Sequence, residues 1–191
     1  MLKKTLILPF AIEDEESLRR EDWLSRQLPA LLRNTLEKDK PGLMTASPLA
    51  AENDGRRTWI VHRRRWEPAE AARFASERHY ERVVVGQVVG SPSPGGIRQV
   101  EVLAVDAQTS EVLADIRLEG DLIQVSRELL ERLAFLVDLR PEGAAARLEP
   151  GTRSALAFEH YLRGLDVLLT LRSPGIDLER PDGAIEPFEA A

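Results

Sequence analysis

The sequence has 191 residues with 26 basic and 32 acidic side chains, a formal net charge of −6 and no cysteine. This length suits one globular domain with a modest extension. The lack of cysteine excludes disulfides, thiolate nucleophiles and cysteine-based metal sites. The negative charge argues against nucleic-acid binding over the whole surface. No apolar run approaches the roughly 18 residues that span a bilayer, so we expect no membrane insertion.

The first residues only superficially imitate a signal peptide. After Met1–Lys4, a short apolar run passes directly into the acidic residues 13–16, with no small-residue cleavage site. We interpret Thr5–Leu8, ended by Pro9, as a buried and central strand of a parallel sheet. Without a secretion signal or a lipoprotein cysteine, we expect a cytoplasmic protein. The arginine-rich composition suggests a thermophilic or GC-rich bacterial source.

Helices and strands alternate over the next part of the chain. Apolar residues at spacings of three and four predict helices, and short β-branched runs between turn signals predict strands. The predicted elements are a helix over residues 23–36 that Pro29 interrupts, a strand at Leu43–Ala46, an added hairpin strand at Thr58–Val61, and a helix from Glu67 to about His79.

The second half predicts a meander followed by helices. Three strands joined by short turns, Arg82–Val89, Ile97–Val105 and Glu111–Leu118, should pair antiparallel. Two amphipathic helices follow, at Asp121–Leu139 and Thr152–Leu171. Because crossovers between parallel strands are right-handed, the first strands should be parallel. The sequence therefore predicts an α/β fold: a mixed sheet, parallel then antiparallel, with helices packed on it and a C-terminal helical extension.

Three phrases carry a resemblance to a known family. Residues 7–10 read ILPF, residues 83–88 read VVVGQV and residues 105–113 read VDAQTSEVL. They resemble, in order, the phrases VLPF, ADYVVTGxV and VDAxTGEVL of the TolB amino-terminal domain and its CsgG-like relatives. Ser110 stands where that family has glycine, at a position that favours a left-handed backbone, so we expect a local cost of about 1 kcal/mol. Residues 51–66 are longer than the family pattern.

The carboxyl-terminal part is similar to the start of a repeat array. Residues 157–164, AFEHYLRG, resemble the helix AYxxYLRG that joins TolB-like domains to tetratricopeptide (TPR) repeats in bacterial proteins. Residues 184–191 look like the first turns of the second helix of a TPR unit. The resemblance implies a TolB amino-terminal-like domain over 1–140, a linker over 141–151 and the start of a TPR array over 152–191. Because a single repeat cannot bury its own apolar face, we expect the front part of a longer scaffold protein.

Residues that carry catalytic chemistry are sparse. His62, His79 and His160 lack the spacing of metal ligands. No GxSxG elbow or glycine-rich phosphate loop is present. The acidic residues 13–16 are typical of a solvated loop rather than of a concave acid–base site. We therefore expect no enzyme activity, no metal and no cofactor.

A basic and aromatic cluster is the strongest chemical feature. Its members are Arg56, Arg57, Trp59, Arg63, Arg64, Arg65 and Trp66. Such a mixture can bind phosphate through arginine forks and stack bases on indoles. However, strand alternation sends residues 63 and 65 to one face and 64 to the other. The cluster also fits an exposed hairpin whose tryptophans cover the core, or a surface for a protein partner.

The last helix is the second candidate surface. Phe158, Tyr161, Leu165 and Leu168 lie at spacings of three and four, so part of this stripe should pack on the domain and part on a partner or on following TPR helices. We therefore favour a non-enzymatic protein-interaction or assembly module and leave its oligomeric state open. The alternative is a domain that binds nucleic acid or another anionic ligand through residues 56–66, with binding that weakens steeply with salt.

Overall fold

The computed structural model describes residues 3–13, 17, 20–39, 42–53, 56–89, 93–136, 148, 151–173 and 176. Eight strands lie within these ranges: β1 Thr5–Ile7, β2 Ala11–Ile12, β3 Met44–Ala46, β4 Ala50–Asn53, β5 Arg56–Trp59, β6 Arg82–Val89, β7 Arg98–Asp106 and β8 Val112–Gly120. Four α-helices accompany them: α1 Leu24–Leu36, α2 Pro68–Ser76, α3 Leu122–Leu136 and α4 Ala155–Leu171. A short 3-10 helix at Glu37–Asp39 extends α1.

One mixed sheet organises these elements. Its strand order is β3-β1-β6-β7-β8, and β2 also pairs with β6. Strand β1 is parallel to both β3 and β6, whereas β7 is antiparallel to β6 and β8. Parallel neighbours need crossover connections, which contain α1 and α2. Strands β4 and β5 form a separate hairpin. The predicted mixed sheet with its antiparallel meander is confirmed.

Side-chain alternation divides the core into two layers on opposite faces of the sheet. Ile7 and Val84 pack in the layer that contains α1, α3 and α4. Leu6 and Val83 pack in the other layer, against the small alanine face of α2. Helices α1 and α2 therefore cover opposite faces. Strand β1 is buried throughout between two neighbours, as its continuous apolar run predicts.

A strand that the sequence did not predict follows Pro9. Proline cannot donate a ladder hydrogen bond, so it separates β1 from β2, and β2 then rejoins the sheet beside β6. Between the two strands, the fully buried ring of Phe10 lies on Gly86. A Cβ at residue 86 would come within 2.7 Å of that ring. Glycine is therefore required at this point of β6 for the ring to pack so closely.

The turn between β7 and β8 is organised by one carboxylate. Oδ1 of Asp106 accepts hydrogen bonds from the backbone N–H groups of Gln108 (2.9 Å) and Thr109 (3.2 Å), and Oδ2 accepts from Lys3 Nζ (3.0 Å). The hydrogen bond from Lys3, together with those from the two amides, lowers the pKa of Asp106 to about 2. Ser110 then adopts the predicted left-handed conformation, with φ of 61°.

Helix α4 shares the core of the α/β unit. Phe158 and Leu162 are buried in the same layer as α1 and α3, as is Leu148 from the predicted linker. Among the described residues, therefore, one hydrophobic core extends across the domain boundary that was predicted before residue 152. The rest of that linker up to residue 150 and residues 177–191, with the TPR-like segment, lie outside the described residues. None of the described helices is long and apolar enough to cross a membrane.

Candidate functional site

A buried ion cluster anchors the amino-terminal half of α4. We call it the Arg98 cluster; it comprises Glu21, Arg98, Glu159 and Arg163. Arg98 opens β7, and its side chain has no exposed surface. Its Nε donates to Glu21 Oε1 (3.0 Å) and its Nη2 donates to Glu159 Oε2 (2.8 Å) and to Glu21. Arg163 donates to Glu159 Oε1 (2.6 Å). Burial raises the pKa of Glu21, although the hydrogen bond and charge of Arg98 oppose the rise.

The Arg98 cluster positions the loop that precedes β7. The backbone N–H of Gly95 donates to Glu159 Oε2 (2.8 Å), and Arg98 Nη1 donates to the carbonyl of Gly96 (3.1 Å). The guanidinium of Arg163 also lies 5.4 Å from the ring centroid of Trp23. Because two arginines balance two glutamates, the cluster leaves no net charge to attract a ligand. Its role is structural.

A second ion cluster anchors α4 two turns further along. We call it the Arg26 cluster; it comprises Asp22, Arg26, Gln27 and Asp166. Arg26 is 5% exposed; its Nε and Nη2 donate to the two oxygens of Asp166 (2.8 and 2.6 Å), and Nη2 also donates to Asp22 (2.9 Å). Gln27 donates to Asp166 Oδ1 (3.2 Å). Burial lowers the pKa of Arg26, but the hydrogen bonds and charge of Asp166 outweigh it, so this pKa is raised.

A half-open cavity of about 280 Å³ lies beside the Arg26 cluster. We call it the arginine cavity. It is bounded by α1, by α4, and by the residues that follow β1 and end β3. Arg26, Arg33 and Arg172 line it, and none of its described lining residues is a carboxylate. The remaining lining residues are Pro9, Ser25, Gln27, Pro29, Ala30, Asn34, Ala46, Ser47, Pro48, Leu165, Leu168 and Leu169.

The predicted basic and aromatic cluster is divided in the structure. Arg57 is exposed on β5, while Arg56 lies on the same strand with a side chain outside the described set. Trp59 is half-buried, and its Nε1 donates to Thr170 Oγ1 on α4 (3.0 Å). The guanidinium of Arg26 lies 5.9 Å from its ring centroid. Trp59 therefore ties the hairpin to the layer of α1 and α4.

The second half of that cluster faces the other layer. Arg63 and Arg64 are exposed in a bend, whereas Arg65 is half-buried and pairs with Glu101 (3.4 Å). Trp66 packs at 5.2 Å between the rings of His62 and Phe74, against the layer of α2. The structure therefore does not bring the two tryptophans onto one stacking platform. That the arginines bind an anion stays a prediction.

The predicted stripe on the last helix is likewise divided. Phe158 is 1% exposed and belongs to the core. Leu165 and Leu168 are half-buried and line the arginine cavity. Tyr161 is 40% exposed. Three large apolar side chains that were not predicted as part of a surface are exposed as well: Ile97 (61%), Leu156 (43%) and Leu171 (47%).

The arginine cavity was also missed from the sequence. Its arginines come from two helices far apart in the chain, which leaves no local motif. The one available signal was that Arg26 and Arg33, seven residues apart, fall on the same face of a helix. Among the described residues, no group of three or more histidine, aspartate or glutamate side chains could hold a metal ion.

Comparisons with known proteins show weak structural similarity. No family model matches the chain, and no curated protein matches it. A solved PelC dodecamer from Paraburkholderia phytofirmans is similar over 72% of this chain and 89% of its own, with 15% identity and a TM-score of 0.45. TolB from Acinetobacter baumannii matches over 71% of this chain and 29% of its own, with 17% identity and a TM-score of 0.37. Lipoprotein GNA1162 from Neisseria meningitidis matches over 69% and 96%, with 10% identity and a TM-score of 0.36. Similarity at this level does not indicate what the chain binds.

Proposed function

We propose that this chain is a TolB amino-terminal-like domain and acts as a non-enzymatic protein-interaction or assembly module, with α4 as its interaction element. The observation that carries the proposal is how side chains are distributed on α4: its charged side chains pair with the body of the domain, and large apolar side chains are exposed. Its charged residues are Glu159, Arg163 and Asp166, and all three form ion pairs with the body of the domain. Glu159 and Asp166 are buried.

The exposed large side chains of α4 are Leu156, Tyr161 and Leu171, and we define its outer face by these three. At 100° per residue they fall within about 140° of arc, which also holds the half-buried His160 and Leu168. Each of the three is 40% exposed or more. Leu156 lies against Gly95 in the loop before β7, and Ile97, two residues further along that loop, is 61% exposed. Single exposed leucines are ordinary, but a helix whose charged residues all pair inwards while its large exposed side chains are apolar or aromatic is typical of one covered by further protein.

The occupant that we propose for the outer face is the helical segment that follows α4 in the chain, beginning within residues 177–191. Two arguments support this choice. Residues 184–191 resemble the start of a repeat helix, and AFEHYLRG at 157–164 resembles the helix that precedes such repeats. Stacked repeats bury their apolar faces on their neighbours, so the first repeat needs an apolar helix face to stack on. The outer face of α4 supplies one.

A photo-crosslinker placed at Tyr161 in the full chain tests the proposal. We expect photoproducts within one chain that join position 161 to peptides from residues 177–191, mapped by mass spectrometry. The matched control carries the crosslinker at Arg132, an exposed position on α3, and should give no such product. Products between two copies, or equal products from both positions, would contradict the proposal.

A further inference from the structure

We propose that the arginine cavity binds a small organic carboxylate with an apolar body. Its position is the first argument. Strands β1 and β3 are adjacent and parallel, so their carboxyl ends lie at the same edge of the sheet. Ligands of open α/β sheets bind outside the carboxyl ends of the strands. Pro9, Ala46 and Ser47, at or just beyond these strand ends, line the cavity.

The charge of the lining is the second argument. Two of the three arginines already have carboxylate partners: Arg26 has Asp166 and Asp22, and Arg33 donates to Glu37 at 2.9 Å. Arg172, exposed at the end of α4, forms no ion pair within the described part of the chain. The described lining thus carries three guanidinium groups, while the carboxylates Asp22, Asp166 and Glu37 pair with two of them from outside the lining. Arg172 is the guanidinium that remains available to a ligand. An anion is the ligand that this wall favours.

Two buried polar atoms supply the third argument. Nη1 of Arg26 and Oγ of Ser25 have no hydrogen-bond partner among the described residues, and both residues line the cavity. Leaving a buried donor unsatisfied is unfavourable. The other two guanidinium nitrogens of Arg26 are fixed by Asp166. The side chain is therefore held in place before any ligand arrives. Because neither Nη1 nor the hydroxyl has accessible surface, a neighbouring side chain must shift before a carboxylate oxygen can accept from them.

The size and the remaining walls define the ligand class. The cavity volume of about 280 Å³ is at the lower end of the range for small-molecule pockets. A cavity of this size is too small for a folded nucleic acid or a protein loop. Prolines, alanines and the leucines of α4 form much of the wall. Inorganic phosphate would leave that wall uncovered. A carboxylate on a short alkyl or aryl-alkyl body satisfies both the arginines and the apolar side.

Isothermal titration of the full chain with 4-phenylbutanoate, and with 4-phenylbutanamide as the uncharged control, tests this site. We expect the carboxylate to bind and the amide to bind about tenfold more weakly or worse. Arg172→Ala should weaken carboxylate binding about tenfold, because it removes the guanidinium that has no ion-pair partner among the described residues. The variant should keep its fold, because Arg172 is exposed at the end of α4. Arg132→Ala, which removes an exposed arginine from α3, should leave it unchanged. Ala30→Phe should fill the cavity and abolish binding.

Several results would overturn the inference. These are equal affinity for carboxylate and amide, equal loss in Arg172→Ala and Arg132→Ala, binding that survives Ala30→Phe, or no binding at millimolar 4-phenylbutanoate. Circular dichroism of each variant shows whether the fold is kept. The inference does not depend on the proposed function: Leu156→Ser on the outer face of α4 should leave titration with the carboxylate unaltered. Failure of one proposal is therefore separable from failure of the other.

Discussion

Replacing Arg98 with methionine tests whether the Arg98 cluster holds the fold together. Arg98 donates hydrogen bonds to Glu21, to Glu159 and to the carbonyl of Gly96, all from a side chain without exposed surface. Methionine keeps most of the apolar stem and removes the charge. Glu159 retains Arg163, whereas Glu21 loses the cation that hydrogen-bonds to it. Breaking a buried pair in this way costs about 3–5 kcal/mol, and we expect about 4 kcal/mol at pH 7.

The pH dependence separates lost charge from lost packing. Burial already raises the pKa of Glu21 against the opposing effect of Arg98, so removal of Arg98 raises it further. A carboxyl whose pKa is higher in the folded than in the unfolded state favours folding increasingly as pH falls. The difference in unfolding free energy between the parent chain and Arg98→Met should therefore shrink from pH 7 towards about pH 5.

Urea denaturation at several pH values, followed by far-UV circular dichroism, measures this difference. The matched control is Arg117→Met. Arg117 has a side chain that is 71% exposed and lies 3.7 Å from Glu101 and Asp115, so its loss should change stability by less than about 0.5 kcal/mol. A loss in Arg98→Met below about 1 kcal/mol, or one independent of pH, would refute the reasoning.

Three further changes test local packing and turn chemistry by the same assay. Gly86→Ala should destabilise the fold by about 2–3 kcal/mol, because its Cβ would meet the buried ring of Phe10 at 2.7 Å; the double variant with Phe10→Leu should recover part of this loss. Asp106→Asn should cost about 1–2 kcal/mol at neutral pH, discounted for the exposure of Lys3. Because the pKa of Asp106 is lowered to about 2, this contribution is full above about pH 4, declines as pH falls towards 2, and is absent only below that. Ser110→Gly should stabilise by about 0.5–1 kcal/mol, since glycine adopts a φ of 61° without strain; an unchanged or lower midpoint would contradict that account.

The sheet could be predicted because its signals are local. A run such as Leu6–Leu8 that is apolar at every position requires burial on both faces, and the structure places β1 between two parallel neighbours. The meander follows from short turns, which constrain consecutive strands to pair. Strand β2 was missed because it has two residues, too few for any periodicity to show.

The site could not be predicted because its contacts are long-range. Arg98 meets Glu21 across 77 positions of sequence and Glu159 across 61, and Arg26 meets Asp166 across 140. No spacing rule covers such separations. Glu159 and Arg163, four residues apart, have the pattern of a solvated surface pair on a helix. Only the packed structure shows that Glu159 faces inwards.

The two ion clusters on α4 fix how that helix is rotated about its axis. Their carboxylates, Glu159 and Asp166, are seven residues apart, which is close to two helical turns, so both point in nearly the same direction. Buried ion pairs contribute little net stability compared with apolar packing, but an unpaired charge in the core is strongly unfavourable. A rotated α4 would bury Glu159 and Asp166 without their arginines. The same pairing therefore determines that Leu165 and Leu168 line the arginine cavity while Leu156 and Leu171 stay exposed, and a single orientation of α4 serves both proposed surfaces.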